Sequence, residues 1–164
     1  GSQGSVKINE AVKNYLQGRS EDIQILHAVG SANPLPPAAA NYLPMQYFHD
    51  MAAIYGAADL LITRSGAVTC SELLTVAKFA ILIPLPHGNG EQVENAQELV
   101  DAGRAVRVSN DEFTGAWLSE NLARTVELAQ SKKLASSELH TKASERIAEL
   151  ALNAISPSRG SSTV

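Results

Sequence analysis

The sequence predicts an α/β fold built on a doubly wound parallel sheet. Three observations support this. Short apolar runs of strand length recur along the chain, segments of helical periodicity separate them, and glycine stands where one run passes into the next helix. Such alternation is typical of parallel sheets, because each crossover lays a helix on one face of the sheet. We therefore expect a Rossmann-like sheet with helices on both faces.

The elements follow from the pattern in chain order. The predicted strands are residues 23–29, 42–48, 59–63, 80–84 and 104–108. The predicted helices are residues 6–16, 51–57, 69–77, 92–102, 114–129 and 134–150. Three prolines within residues 34–37 interrupt the first crossover, so we expect a short or irregular helix there, with residues 38–40 supplying one turn. The predicted domain covers residues 1–155, and residues 156–164 have linker composition and are expected to be disordered.

Composition narrows the class of protein. The 164 residues suffice for one domain with a core, and the 45% hydrophobic and 18% charged content is ordinary for a globular chain. The net charge of −4 and the lack of a Lys/Arg-rich block argue against nucleic acid as a partner. Cys70 is the single cysteine, which favours a reducing, cytoplasmic compartment. The apolar stretch 79–85 is far shorter than the roughly 18 residues that span a bilayer, so any membrane contact is expected to be peripheral.

The junction around Gly66 is the main candidate site. An apolar run ends there and passes through one glycine into a helix, whose first N–H groups lack intrahelical partners and carry the positive end of the dipole. A second glycine turn, Gly1 to Gly4, leads into the helix at residue 6, and two such turns together suggest a diphosphate ligand. The alternative is a capping box formed by Thr69 and Glu72, which would serve helix stability alone.

The chain contains no strand before its first glycine turn. We therefore expect it to be the carboxyl-terminal part of a longer protein, the alternative being that Gly1 and Ser2 are a remnant of cloning. If the absent strand is counted first, the strand order 3-2-1-4-5-6 places both glycine loops beside one crevice at the carboxyl ends of the strands. The loop at residues 86–92 would lie next to them.

Several side chains near these loops are ambiguous. Gln92 and Asn95 are spaced to project together from a helix start and suit sugar hydroxyls, although a solvated helix face would explain them equally. Arg64 could neutralise a phosphate or pair with an acid. His49 and His87 have no nucleophile or metal-ligand companion in the sequence, so neither is expected to be a base, and Cys70 is expected to be packed.

Three segments in order resemble one family closely. They are residues 1–5 (Gly-Ser-Gln-Gly-Ser), residues 59–72 around Arg64-Ser65-Gly66, and residues 84–96 around Gly88-Asn89-Gly90-Glu91-Gln92. Their order and spacing resemble the MurG family, the N-acetylglucosaminyltransferases of peptidoglycan synthesis, from residue 1 to about residue 110. The family often has Gln-Gln or His-Gln where this chain has Glu91-Gln92, which leaves the role of Glu91 open.

The resemblance implies the carboxyl-terminal, donor-binding half of a two-domain GT-B hexosyltransferase. Such an enzyme transfers N-acetylglucosamine from UDP-N-acetylglucosamine to lipid I, with inversion, giving lipid II at the inner face of the cell membrane. It implies no cofactor and no metal, and places the acceptor site, the membrane contact and the catalytic base in an absent amino-terminal domain, so we expect these residues alone to bind the donor weakly without transferring sugar. The implied donor contacts are Ser2 and Gln3 at the diphosphate, the Phe48 backbone at uracil, Val68 and Thr69 N–H groups at a phosphate, Glu72 at the ribose, and Gln92 and Asn95 at the sugar.

Other functions stay open at this point. UDP-N-acetylglucosamine 2-epimerases and glycolipid glycosyltransferases share the fold and the phosphate crevice. A stand-alone nucleotide-sugar-binding subunit that works with a membrane partner is a non-enzymatic alternative. A purely structural α/β domain would make both glycine junctions accidental.

Overall fold

The computed structural model describes residues 3–18, 22–86 and 89–132, and within them strands and helices alternate except that the first two strands follow one another without a helix. The helices are α1 (Val6–Leu16), α2 (Met51–Ala57), α3 (Ala67–Val76), α4 (Glu91–Asp101) and α5 (Gly115–Ser131). The strands are β1 (Ile25–Ala28), β2 (Tyr42–Met45), β3 (Leu61–Thr63), β4 (Ala80–Leu82) and β5 (Ala105–Arg107).

Every described strand pair is parallel, which confirms the predicted fold class. β1 pairs with β2, and β4 lies between β3 and β5. These are the neighbours that the order 3-2-1-4-5-6 assigns to the visible strands. The two sheets belong to two compact units: one contains residues 3–4 and 22–57, and the other contains residues 5–18, 58–86 and 89–132.

The core of the three-stranded unit is built around β4. Residues 80–83 of this strand and its continuation are fully buried, which explains why the run is apolar throughout instead of alternating. Leu73 of α3 and Leu99 of α4 are also fully buried and belong to the same cluster. Cys70 is packed there as predicted, and burial together with the charge of Glu98 raises the pKa of its thiol. The Cys70 side chain is therefore part of the hydrophobic core.

The two-stranded unit has its own small core. Phe48 and Ile54 are buried in it, and Leu26, Met45, Met51 and Ala57 pack against them. Asp50 caps α2, because its side chain accepts a hydrogen bond from Ala53 N at 2.9 Å. Phe48 therefore anchors the chain between β2 and α2.

A buried polar pair links the two strands of this unit. His27 Nδ1 lies 2.9 Å from the Tyr42 hydroxyl, and both residues are buried. Burial lowers the pKa of His27 and raises the pKa of Tyr42, since both charged forms are disfavoured away from water. The pair is therefore neutral in the folded protein at neutral pH.

Several predicted boundaries need correction. The helices over residues 6–16 and 51–57 have the predicted bounds, but all five strands are shorter than their apolar runs. The runs continue past the last ladder pairs because flanking residues such as Val29 and Ile83 are buried without being strand. α3 and α4 begin at Ala67 and Glu91, before the predicted starts, and α5 spans Gly115–Ser131 where residues 114–129 were predicted.

The crossover between β1 and β2 contains no helix in its described residues, so the helical turn predicted at residues 38–40 is wrong. Ala39 and Tyr42 instead exchange two backbone hydrogen bonds of 3.0 Å in an antiparallel bridge. The prolines before them cannot donate to a helix, and an extended path follows. The helix predicted over residues 134–150 and the tail at 156–164 lie outside the described residues. No helix within the described ranges has the length and apolarity to cross a bilayer.

We expect His27 to make this protein less stable in mild acid. Folding lowers the pKa of His27, so the neutral imidazole makes its full contribution to the free energy of unfolding above the unfolded pKa of about 6.5. This contribution is lost as the pH falls below that value, because the unfolded chain then takes up a proton that the folded chain does not. Between about pH 7.5 and about pH 5.5, the urea midpoint should fall more in the wild type than in His27→Gln.

The matched control is His49→Gln, because His49 is exposed. This variant should keep the pH dependence of the wild type. An equal dependence in His27→Gln and the wild type would contradict the assignment.

Candidate active site

The β3–α3 junction presents a row of open backbone donors. Gly66 is the N-cap of α3, with extended backbone (φ −64°, ψ 148°) and no side-chain capping bond. The first intrahelical bond runs from Cys70 N to Gly66 O at 3.0 Å. The N–H groups of Ala67, Val68 and Thr69 precede it and have no hydrogen-bond partner among the described residues. The arrangement suits an anion at the positive end of the helix dipole.

The predicted alternative for this junction, a capping box, is wrong. Thr69 is the third residue of α3 and Glu72 the sixth, so Thr69 is inside the helix and cannot be its cap. The helix starts earlier than the sequence pattern suggests because Ala67 and Val68 join it. The side chain of Val68 is 74% exposed, and Glu72 is exposed one turn further along.

The start of α4 is built in the same way. Gly90 is its N-cap, with a left-handed φ of 83° and no side-chain capping bond. By contrast, α1 and α5 are capped by the hydroxyls of Ser5 and Thr114, which accept from Ile8 N and Trp117 N. The two helices that follow β3 and β4 therefore begin with a glycine in place of a capping side chain.

The side chains of Gln92 and Asn95 are partly buried, and each makes a hydrogen bond to a neighbouring loop. Gln92 Oε1 accepts a hydrogen bond from Leu85 N at 3.0 Å, and Asn95 Nδ2 donates to Ser65 O at 3.1 Å. These contacts exclude the alternative of a simple solvated helix face. In the described part of the chain, Gln92 Nε2 and Asn95 Oδ1 make no hydrogen bond, so each amide keeps one group for a ligand.

Arg64 binds neutral acceptors. Its Nη1 donates to the backbone oxygens of Ile83 and Pro84 at 3.1 and 3.3 Å, and its Nη2 donates to Ser5 Oγ at 3.0 Å. Within the described ranges it has no carboxylate partner, so the predicted pairing with an acid is not observed. Burial lowers the pKa of this guanidinium, which nevertheless stays protonated at neutral pH. Arg64, two residues before Gly66, therefore carries a positive charge that no described carboxylate compensates.

The first glycine loop is held by residues that the sequence analysis did not single out. Asn33 Nδ2 donates to Gln3 O at 2.9 Å and to Val29 O at 2.8 Å. Gly4 and Gly30 have left-handed φ values of 74° and 84° and are in close backbone contact. A Cβ on Gly30 would lie 2.2 Å from Gly4 N. The signal that could have found this clasp is the Gly-x-x-Asn pattern directly after a strand.

The structure places two of the remaining predicted residues, Phe48 and His49, and does not describe two others. Phe48 is only 5% exposed, so a ligand contact at this residue is left to its backbone. His49 is exposed and stacks edge-on against Tyr47, with ring centroids 5.3 Å apart. Ser2 and His87 lie outside the described residues. That the Gln3–Gly4 loop, Phe48 and the start of α3 face one crevice stays a prediction.

Comparison with known proteins identifies the family. The model of the glycosyltransferase family 28 C-terminal domain matches residues 1–151. The chain belongs to this family. A curated relative from Corynebacterium diphtheriae, named UDP-N-acetylglucosamine--N-acetylmuramyl-(pentapeptide) pyrophosphoryl-undecaprenol N-acetylglucosamine transferase, is 48% identical over 126 residues, which are 76% of this chain and 35% of that protein. A relative of the same name from Streptomyces coelicolor is 42% identical over 128 residues, covering 74% of this chain and 35% of the relative.

Solved structures confirm the fold of this family 28 C-terminal domain. The crystal structure of MurG from Acinetobacter baumannii matches with a TM-score of 0.68 at 24% identity, covering 93% of this chain and 48% of that one. The kitacinnamycin glycotransferase matches with a TM-score of 0.62 at 18% identity, covering 94% of this chain and 40% of the other. The domain has the fold of the carboxyl-terminal half of a GT-B glycosyltransferase, and the resemblance drawn from its three motifs is confirmed. It spans about a third of the length of the curated relatives it matches.

We expect Gly30→Ala to disrupt the first glycine loop. The new Cβ would meet Gly4 N at 2.2 Å and the Gln3 carbonyl carbon at 2.3 Å, and the positive φ disfavours alanine in any case. The free energy of unfolding, measured in urea, should fall by more than about 1 kcal/mol.

Gly18→Ala is the control, because a Cβ there meets nothing within 4 Å. It should change the free energy of unfolding by less than about 0.5 kcal/mol. Similar losses in the two variants would contradict the close contact at Gly30.

Proposed function

We propose that this domain is the donor-binding half of an inverting N-acetylglucosaminyltransferase. It binds UDP-N-acetylglucosamine, and the enzyme transfers the sugar to the 4-hydroxyl of the muramoyl sugar of lipid I, giving lipid II at the cytoplasmic face of the membrane. The acceptor site, the peripheral membrane contact and the catalytic base belong to an amino-terminal domain. The observation that carries the proposal is the glycine-capped start of α3, with three open N–H groups, and the preceding Arg64 carries a charge without a described acidic partner.

The chemistry of the reaction requires such a feature. When UDP leaves the anomeric carbon, negative charge develops on its β-phosphate. N–H dipoles that are already oriented stabilise this charge more in the transition state than in the ground state, because they need no reorganisation as it forms. Ala67, Val68 and Thr69 supply these dipoles, and Arg64 adds positive potential without direct contact. The protein groups therefore assist departure of the leaving group.

The remaining donor groups recognise the sugars. Glu72 is exposed on α3, one turn beyond the open N–H groups, and its carboxylate can accept two hydrogen bonds from ribose hydroxyls. Gln92 and Asn95, at the start of α4, offer Nε2 and Oδ1 to the N-acetylglucosamine. A donor and an acceptor of this kind are suited to neighbouring sugar hydroxyls.

The relatives support the same reaction. Their name states a transfer of N-acetylglucosamine from UDP-N-acetylglucosamine to a pyrophosphoryl-undecaprenol acceptor, and the two relatives described above are 48% and 42% identical to this chain. Transfer of the relatives' donor specificity to this chain is therefore the most direct interpretation.

Gly66→Ala separates ligand binding from folding. A Cβ on Gly66 meets no atom within 4 Å and its φ of −64° is ordinary for alanine, so the free energy of unfolding should fall only by the roughly 1 kcal/mol that alanine costs at an N-cap. A phosphate that approaches the open N–H groups over Gly66 would meet the added methyl group. Calorimetric titration should show the affinity for UDP reduced by roughly tenfold or more. Unchanged affinity for UDP would contradict a phosphate at this helix start.

Two further variants test which part of the nucleotide sugar each residue binds. Glu72→Ala should weaken UDP, UDP-glucose and UDP-N-acetylglucosamine alike, since all three carry the ribose. Gln92→Ala should weaken the two nucleotide sugars and spare UDP. Each loss should be roughly threefold to thirtyfold, the range for one hydrogen bond to a charged or neutral partner. If Gln92→Ala weakens UDP as much as UDP-N-acetylglucosamine, the sugar assignment fails.

A further inference from the structure

Ser65 joins the starts of two helices through one buried residue. Its side chain is 0% exposed, and its hydroxyl donates to Gln92 O at 2.7 Å. Its own carbonyl accepts from Asn95 Nδ2 at 3.1 Å. Ser65 also directly precedes Gly66, the N-cap of α3. The first two turns of α4 are thus tied by two hydrogen bonds to the residue that leads into α3.

The neighbouring Arg64 extends the same connection. It reaches the carbonyls of Ile83 and Pro84 after β4 and the hydroxyl of Ser5, the N-cap of α1. Two adjacent residues at the end of β3 therefore hold the starts of α1, α3 and α4 together. Hydrogen bonds of this kind cost free energy when one partner is removed, since the other is left unsatisfied in a partly buried position.

We propose that Ser65 is a positioning residue that sets the sugar-binding start of α4 relative to the phosphate-binding start of α3. The inference rests on the proposed function, since it assumes that these two helix starts bind different parts of one nucleotide sugar. Loss of the Ser65 hydroxyl frees Gln92 to shift while the N–H groups of α3 stay on their own helix. The expected effect is therefore selective for the sugar and leaves the diphosphate largely alone.

Ser65→Ala in the 164-residue chain tests this directly. Calorimetric titration should show the Kd for UDP-N-acetylglucosamine raised roughly threefold to tenfold, with the Kd for UDP changed less than about twofold. A role in stability alone would lower the urea midpoint without changing the ratio of the two Kd values. An unchanged ratio would therefore overturn the proposal.

A double-mutant cycle shows whether Ser65 acts through Gln92. In the Gln92→Ala background, Ser65→Ala should raise the Kd for UDP-N-acetylglucosamine by less than it does in the wild type, because one of the two sugar-binding groups that it positions is gone. Fully additive losses would contradict the proposal. Ser119→Ala is the matched control, since it also removes a hydroxyl-to-carbonyl bond, of 3.0 Å to Gly115 O on α5, and it should leave both Kd values unchanged.

Two further variants at the same position complete the test. If Ser65→Ala does not fold, Ser65→Cys fills nearly the same space with a weaker donor and should show the same selectivity at smaller size. Ser65→Thr retains the hydroxyl and should keep the wild-type ratio of Kd values. Failure of the wild type to bind either ligand would refute the proposed function and the inference with it, whereas normal binding with an unchanged ratio in Ser65→Ala would refute only the positioning role.

Discussion

The candidate site depends on one constraint of the parallel α/β fold: a helix that follows a strand begins with N–H groups that its own backbone cannot satisfy. In α1 and α5 a hydroxyl satisfies one of them. In α3 and α4 a glycine stands at the cap, and no side chain of the cap satisfies the first donors. The first three N–H groups of α3 are therefore available to an external acceptor. A phosphorylated ligand provides acceptor oxygens of the required charge.

The charge distribution fits the same ligand. The chain as a whole carries a net charge of −4, yet the described part of the β3 end has a guanidinium held only by neutral acceptors. A protonated group with no acidic partner attracts anions locally even when the rest of the surface repels them. Under the proposed function, donor recognition therefore rests on backbone geometry supported by one partly buried cation.

The sequence predicts the bounds of a helix or strand well where local periodicity sets them, and less well where contacts with other elements set them. The bounds of α1 and α2 could be predicted because their helical periodicity ends at turn residues. The start of α3 could not, because Thr69 and Glu72 have the spacing of a cap although Ala67 already lies in the helix. The strand lengths depend on ladder partners, which apolar runs do not encode. The clasp joins Gly30 to Gly4 and Asn33 to Gln3, which are 26 and 30 positions apart, and the Gly-x-x-Asn pattern does not identify these distant partners.

The Ser65 contact with α4 also bears on how such domains can diversify. Its acceptor at Gln92 is a main-chain oxygen, which every amino acid possesses. Under the proposed function, a mutation that exchanges the side chain at this position would alter what is offered to a hexose and remove the bond from Leu85 N, while the main-chain bond to Ser65 stays. Sugar preference could then change through single substitutions that keep this anchor of α4.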